Sequence, residues 1–182
     1  MYVNTNHGMV AALDPESGNE LWLFDPESYR NGPPVQTNIM IRGIEHWTDG
    51  VIERIFVATL GKQLLSLDAS TGQPDPNFGE DGFIDLSQNL GRLEFESEFI
   101  TAGAAPIAVG NSLIVGSKIF DYGMYNRSPP GHVRAYDTYS GELKWRFNTI
   151  PQEGEEFTET WENDSWRIAG NTNVWTFMSA DD

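Results

Sequence analysis

Apolar positions along this chain fall in short runs, and each run is closed by Asn, Asp, Gly or Pro. Such punctuation predicts strands joined by tight turns. Tyr2 to Thr5 and Met9 to Leu13 form the first pair, with Asn6-His7-Gly8 as the turn; His7 is expected to be a solvent-exposed turn residue. Phe56 to Asp68 repeats this pair without a gap, turning at Leu60-Gly61-Lys62. A third pair, Ile107-Ala108-Val109 and Leu113-Ile114-Val115, flanks Gly110-Asn111-Ser112. Between the first two pairs, Asn38 to Trp47 predicts a strand, and Thr48-Asp49-Gly50 turns it into Val51 to Ala58. Gln73 to Asp85 is turn-rich, with a hairpin signal at Asp81-Gly82, and Leu86 to Ser97 is expected to be loop.

One frame recurs. Ala12-Leu13-Asp14-Pro15-Glu16-Ser17-Gly18 continues to Leu21-Trp22; Ser66-Leu67-Asp68-Ala69-Ser70-Thr71-Gly72 follows the second hairpin; Ala135-Tyr136-Asp137-Thr138-Tyr139-Ser140-Gly141 continues to Lys144-Trp145. An apolar run ends at Asp, whose carboxylate can accept from backbone N–H groups two residues on. Ser/Thr-Gly completes the turn, with Gly free to take positive φ. The Trp of the first and third copies then lands on the outgoing strand, where an indole can wedge against a neighbouring sheet. The frame aspartates stand at positions 14, 68 and 137, intervals of 54 and 69 residues. Each interval holds about four short strands, the build of a propeller blade. The expected fold is therefore all-β: a β-propeller fragment of about three four-stranded antiparallel blades across residues 1–182, with frames near 12–22, 66–72 and 135–145. The third hairpin's return strand, His132 to Tyr136, follows only after an insert, Ser117 to Pro130. Long loops in a repeat array tend to be functional.

Composition narrows the function classes. Gly and Pro number 18 and 10, which suits strands and turns better than helices. Cysteine is absent, so there is neither a disulfide framework nor a thiolate metal site. A formal net charge of −16 argues against nucleic acid and anionic membrane surfaces, and is compatible with a divalent cation. No apolar run approaches membrane-spanning length. The chain opens on a strand pattern with no signal peptide and stops without a tail, so both ends are expected to be cuts inside a larger protein.

The frame A-x-D-x-x-[ST]-G-x-x-x-W resembles the tryptophan-docking motif of quinoprotein dehydrogenases, eight-bladed propellers carrying pyrroloquinoline quinone (PQQ) and Ca²⁺ on the propeller axis. Further segments agree in the family order. Arg42-Gly43-Ile44-Glu45-His46-Trp47 is similar to the family's R-G-[VL]-x-Y-W. Leu64 to Asp85 resembles the membrane glucose dehydrogenase branch and its soluble relatives. Gly116 to Asp121 resembles the metal-binding G-[GS]-S-x-x-[DE]. Glu159 to Trp175 resembles W-x-x-D-x-W…G-G-x-N-x-W. Some positions depart: the vicinal disulfide of methanol-type members has no counterpart, His46 replaces a Tyr, and Gly103 falls where many members carry a cofactor-bonding Thr, with Thr101 two residues away. The missing disulfide favours the glucose or polyol branch.

The resemblance implies particular roles. Arg42 is the expected fork for a PQQ carboxylate, because guanidinium pairs with a carboxylate bidentately; the alternative is a surface ion pair. Trp47 packs near the cofactor ring or fills the core. Asp121 and Asn173 are the expected Ca²⁺ ligands, with Asn171 as an alternative to Asn173, since Ca²⁺ takes oxygen ligands from carboxylates and amides. Trp161, Trp166 and Trp175 are expected to be core or docking residues. The catalytic base, an aspartate in the family, is expected beyond Asp182, so no residue here is assigned as catalytic. The implied reaction is oxidation of an alcohol, polyol or aldose hydroxyl, with electrons passed to a quinone or cytochrome, in the periplasm. Another class stays open: a PQQ-like propeller serving as a protein-binding scaffold, as in outer-membrane assembly lipoproteins. Convergence of Arg42, Asp121 and Asn173 on one pocket discriminates the enzyme from the scaffold.

Overall fold

The computed structural model describes residues 1–31, 42–59, 61–91, 100–119, 128–170 and 172–181. The first blade is a three-stranded antiparallel sheet of β1 (Tyr2–Asn4), β2 (Val10–Leu13) and β3 (Glu20–Phe24), in that order. The second is four-stranded and antiparallel: β4 (Glu45–Thr48), β5 (Glu53–Ala58), β6 (Gln63–Asp68) and β7 (Phe83–Asp85). Next come β8 (Ile100–Thr101), β9 (Ile107–Val109), β10 (Ser112–Val115), β11 (Lys118–Ile119), β12 (Val133–Asp137) and β13 (Leu143–Phe147). The third blade has the order β9-β10-β12-β13, and β8 pairs with β11 in a separate ribbon. The β8–β11 pairing was not anticipated, because two-residue strands carry no periodicity to read.

Local chemistry explains two shortened strands. Gly43 takes φ 91°, so β4 starts only at Glu45; residues 38–41 lie outside the described residues. The turn after β4 extends to Ile52, because Asp49 Oδ1 accepts from the amides of Val51 (2.9 Å) and Ile52 (2.8 Å). Val51 is consequently exposed and β5 begins at Glu53.

All three frames fold as the same corner. Asp14 Oδ1 accepts from the amides of Glu16 (3.1 Å) and Ser17 (2.7 Å), Asp68 Oδ1 from Ser70 (3.0 Å) and Thr71 (2.8 Å), and Asp137 Oδ1 from Tyr139 and Ser140 (3.0 Å each). The frame glycines then donate back to the carbonyls of the same aspartates at 2.8–2.9 Å, with φ of 71–73°.

The corners are where blades lock together. Trp22 Nε1 donates to Ala69 O at 3.0 Å, and a Cβ on Gly72 would stand 2.5 Å from the indole. Gly is thus required at 72 for two reasons, its φ and its neighbour. Behind this contact Val10, Ile55, Val57, Leu65 and Leu67 form a buried cluster between blades one and two, flanked by Trp22 and Phe24. The second frame carries no Trp, and its seam is built differently. Ile84 and the backbone of Gly79 fill the space over Gly141, Gly79 N donates to Ser140 O (2.8 Å), and Arg54 reaches across to the carbonyls of Thr138 and Tyr139. Arg54 is nearly fully buried and ion-paired with Asp75. Phe56, Leu64, Phe78, Leu86, Leu113, Val115 and Tyr136 complete the core of this seam.

Trp47 belongs to the same seam. Its indole donates to Gly110 O at 2.7 Å, meets Tyr139 edge-on at 5.1 Å and lies beside Phe56. Of the two roles open to it, the structure supports core packing: the residue sits at an inter-blade position, where an indole covers apolar area and its N–H finds a carbonyl.

Candidate functional site

Strands β4 and β9, at the ends of their sheets, run side by side in the same direction. Ala105 N donates to Arg42 O (3.0 Å) just ahead of them, Ala108 N donates to Glu45 Oε1 (2.8 Å) along them, and Trp47 reaches Gly110 beyond them. Arg42 therefore marks the end of the sheets at which these strands begin. Its guanidinium lies 5.0 Å from the centroid of the Trp175 ring, within the range of a cation–π contact. Trp175 remains about half exposed, and no carboxylate among the described residues pairs with Arg42. A guanidinium beside an exposed indole, with no carboxylate partner among the described residues, presents both a flat surface and a cationic fork.

Glycines place Trp175 there. Residues 172–175 cross the end of the third blade in close contact with its backbone. Gly131 forms a parallel bridge with Asn173, and Gly131 N donates to Thr172 O (3.1 Å), which also accepts from Thr149 Oγ1 (3.0 Å). A Cβ at Gly131 would collide with Asn173, and one at Gly116 with the Val174 carbonyl. At Gly103 it would come within 3.1 Å of Trp175 O and 3.2 Å of the Lys118 side chain. Buried His132 braces the same region, accepting from Thr149 N at Nδ1 (3.0 Å), while Ser117 Oγ donates to His132 O (2.9 Å). The Gly103 departure thus has a local consequence: the space of a side chain is crowded by Lys118 and by the segment carrying Trp175.

The structure brings Arg42 and the segment holding Asn173 to one end of the blades, through Trp175. Asn173 itself is partly buried at its bridge to Gly131. Asp121 and Asn171 lie outside the described residues. No group of three or more His, Asp or Glu side chains that could hold a metal ion occurs among the described residues. Trp175 was expected to be a core or docking residue; it is about half exposed and lies against Arg42 rather than within a core cluster. The signal was in the sequence, since Trp175 shares a motif with Asn173, but only the crossing of chain segments shows which face it offers. Trp166 is the buried core residue that was expected. A concavity of about 470 Å³ runs along the seam beside β4, lined by Glu45, Trp47, Asp49, Asn111 and Tyr139. Its polar groups are already engaged: Tyr139 OH donates to Asp49 Oδ2 (2.8 Å), and Glu45 holds the Ala108 amide. Burial pushes the Glu45 carboxyl up, partly offset by that amide.

Antiparallel blades locked by Trp and Gly corners define a β-propeller fold, with an arginine and an exposed indole together at one end of its sheets. The chain belongs to the PQQ-dependent dehydrogenases: residues 1–182 match the family model described as the glucose/ethanol/alcohol dehydrogenase β-propeller domain. It is 31% identical to quinohemoprotein alcohol dehydrogenase ADH IIB of Pseudomonas putida over 192 residues, covering 100% of this chain and 25% of that protein. It is 26% identical to quinoprotein glucose dehydrogenase A of Acinetobacter calcoaceticus, covering 100% of this chain and 24% of that one. Among solved structures, quinohemoprotein alcohol dehydrogenase ADHIIG from Pseudomonas putida HK5 superposes with a TM-score of 0.71 at 27% identity, over 93% of this chain and 23% of that chain. The chain therefore spans about a quarter of the length of these relatives.

Proposed function

We propose that this chain is part of a PQQ- and Ca²⁺-dependent dehydrogenase that oxidises alcohol, polyol or aldose hydroxyls, to which it contributes cofactor and metal contacts but not the catalytic base. The observation that carries this reading is the Arg42 guanidinium over the exposed Trp175 ring, at the sheet end where residues 172–175 pass over Gly103, Gly116 and Gly131. A planar quinone bearing carboxylates fits that pair: the indole offers a flat apolar face and the guanidinium a bidentate, charge-assisted contact. When bound, the quinone supplies the hydride acceptor, and a divalent ion at its oxygens acts as a Lewis acid. Arg42 orients the cofactor and compensates its negative charge. The crossing segment holds Trp175 rigid, because its backbone is wedged against three glycines. Asp121 and Asn173 are the proposed Ca²⁺ ligands, and the position of Asn173 beside Trp175 supports its share of that role. Electron transfer to a quinone or cytochrome, and a periplasmic location, are proposed on family resemblance.

In the full-length enzyme, Arg42→Gln should weaken PQQ binding about 10- to 100-fold, the loss of one charge-assisted contact worth roughly 1.5–3 kcal/mol. Quenching of tryptophan fluorescence on titrating the apoenzyme with PQQ reads this without activity. Asp121→Ala and Asn173→Ala should raise the Ca²⁺ concentration needed for reconstitution, whereas Asp49→Ala, in a turn of the second blade, should not. Wild-type PQQ affinity in Arg42→Gln would remove the cofactor assignment, and unchanged Ca²⁺ dependence in both ligand variants would remove the metal assignment.

A further inference from the structure

The ladder between β12 and β13 ends at the pair Val133 and Phe147. His132 stands just before that pair on one strand, and Thr149 just after it on the other. Past the end of a ladder a backbone amide has no partner strand and must find another acceptor. Thr149 N finds the His132 ring and donates to Nδ1 at 3.0 Å. That ring is fully buried, and the His132 carbonyl accepts from Ser117 Oγ at 2.9 Å. The imidazole thus holds Thr149 against the blade where the strands alone would let it diverge. The Thr149 hydroxyl lies 3.5 Å from Nδ1 but 3.0 Å from Thr172 O, so its hydrogen goes to the carbonyl. Gly131 N donates to the same oxygen at 3.1 Å. One carbonyl of the crossing segment is therefore fixed from two sides, by residues flanking β12 and β13. Beyond it, Val174 O lies over Gly116 and Trp175 O over Gly103, too close for a Cβ at either glycine. Close packing prevents the segment from shifting sideways, so its register along the blade end is set at Thr172. Three residues on, the Trp175 ring lies 5.0 Å from the Arg42 guanidinium.

We infer that His132 is a positioning residue: by holding Thr149 it fixes Thr172 O, and with it the register that sets the Trp175 indole beside Arg42. That this indole receives PQQ rests on the function proposed above; the positioning does not. The role differs from that of a histidine that only fills space. A space-filling ring could give way to an apolar group of similar volume with Trp175 unmoved. An acceptor could not, because the Thr149 amide would lose its hydrogen bond and Thr149 its anchor. Asn places a carbonyl oxygen where Nδ1 stands, whereas Leu fills the volume and accepts nothing. At Thr149, Ser keeps the hydroxyl and Val removes it, both with the backbone amide intact. Each pair of substitutions separates the hydrogen bond from the packing.

Fluorine NMR of the full-length apoenzyme labelled with 5-fluorotryptophan tests the inference, with Trp175→Phe assigning the resonance. His132→Leu and Thr149→Val should displace the Trp175 resonance, whereas His132→Asn and Thr149→Ser should leave it in place. PQQ affinity, read by fluorescence quenching, should fall about 2- to 10-fold in the first two variants, the loss of one neutral hydrogen bond, and hold in the second two. Thermal melting checks that each variant folds; where His132→Leu does not, the two Thr149 variants carry the test. An unmoved Trp175 resonance in Thr149→Val and His132→Leu would overturn the inference. So would a resonance displaced as far by Asn and Ser as by Leu and Val, since packing and not the hydrogen bonds would then position the indole. A displaced resonance with wild-type PQQ affinity supports the positioning role and instead removes Trp175 from the proposed cofactor site.

Discussion

At the scale of single residues, the frame glycines separate two contributions that are usually mixed. Gly18 and Gly72 occupy the same corner with the same φ of 71°, but only Gly72 lies against an indole. Gly18→Ala should show the cost of a Cβ in the left-handed region, about 1 kcal/mol. Gly72→Ala should add the displacement of Trp22, a further ~1–3 kcal/mol of overpacking. Urea unfolding of the two variants at low protein concentration checks this, and equal losses would mean that Trp22 contributes no steric lock. The corner aspartates make a related prediction for acid. Hydrogen bonds from serine and threonine hydroxyls and backbone amides lower the Asp14 and Asp68 carboxyls; for Asp137 burial pushes upward, but its amide donors prevail and the net shift is down. Carboxyls depressed in the folded state stabilise it above their unfolded value, near pH 4, and that contribution is lost as pH falls through the folded values. Thermal melting should therefore drop below about pH 4, and Asp68→Asn should flatten that dependence.

At the scale of elements, the two seams solve one problem with different chemistry. The first uses an indole on a glycine corner. The second, lacking that Trp, uses Ile84 against Gly141 and a buried guanidinium on corner carbonyls. The difference sets their response to mutation. Asp75→Asn leaves the Arg54 charge buried without its counter-ion and should cost about 3–5 kcal/mol. A double replacement, Arg54→Met with Asp75→Leu, should cost much less, because an apolar pair of similar volume removes both desolvation penalties together. A double-mutant cycle by chemical denaturation reads the coupling, and additive losses would show that Arg54 acts on the carbonyls of Thr138 and Tyr139 independently of Asp75. Three glycines and a crossing segment, in contrast, shape the proposed cofactor site: if that proposal holds, Gly131→Ala should dislodge residues 172–175 and lower PQQ affinity together with stability, whereas Gly154→Ala, with open space around it, should leave affinity unchanged.

At the scale of the whole molecule, the sequence by itself determined the blades. Strand pairs, turn residues and the corner frame are local: a run of three or four β-formers and an Asp-to-Gly turn specify themselves through side-chain-to-backbone hydrogen bonds, wherever the unit is placed. The corners at Asp14, Asp68 and Asp137 and the strand order of the second and third blades were legible for that reason. Only the tertiary structure decided which tryptophan is enclosed and which is exposed. Trp47 and Trp175 are both aromatic residues in family-like motifs, but one is enclosed between blades and the other lies open beneath Arg42. Nothing in their own neighbourhoods distinguishes them. The distinction arises from Gly110 and Tyr139 in one case and from Gly103, Gly116 and Gly131 in the other, residues 44 to 92 positions away that the propeller brings alongside. The second seam was hidden for the same reason. Arg54, Asp75 and the corner around Thr138 read as unrelated polar residues along the chain, and they become one buried network only when adjacent blades exclude the water between them.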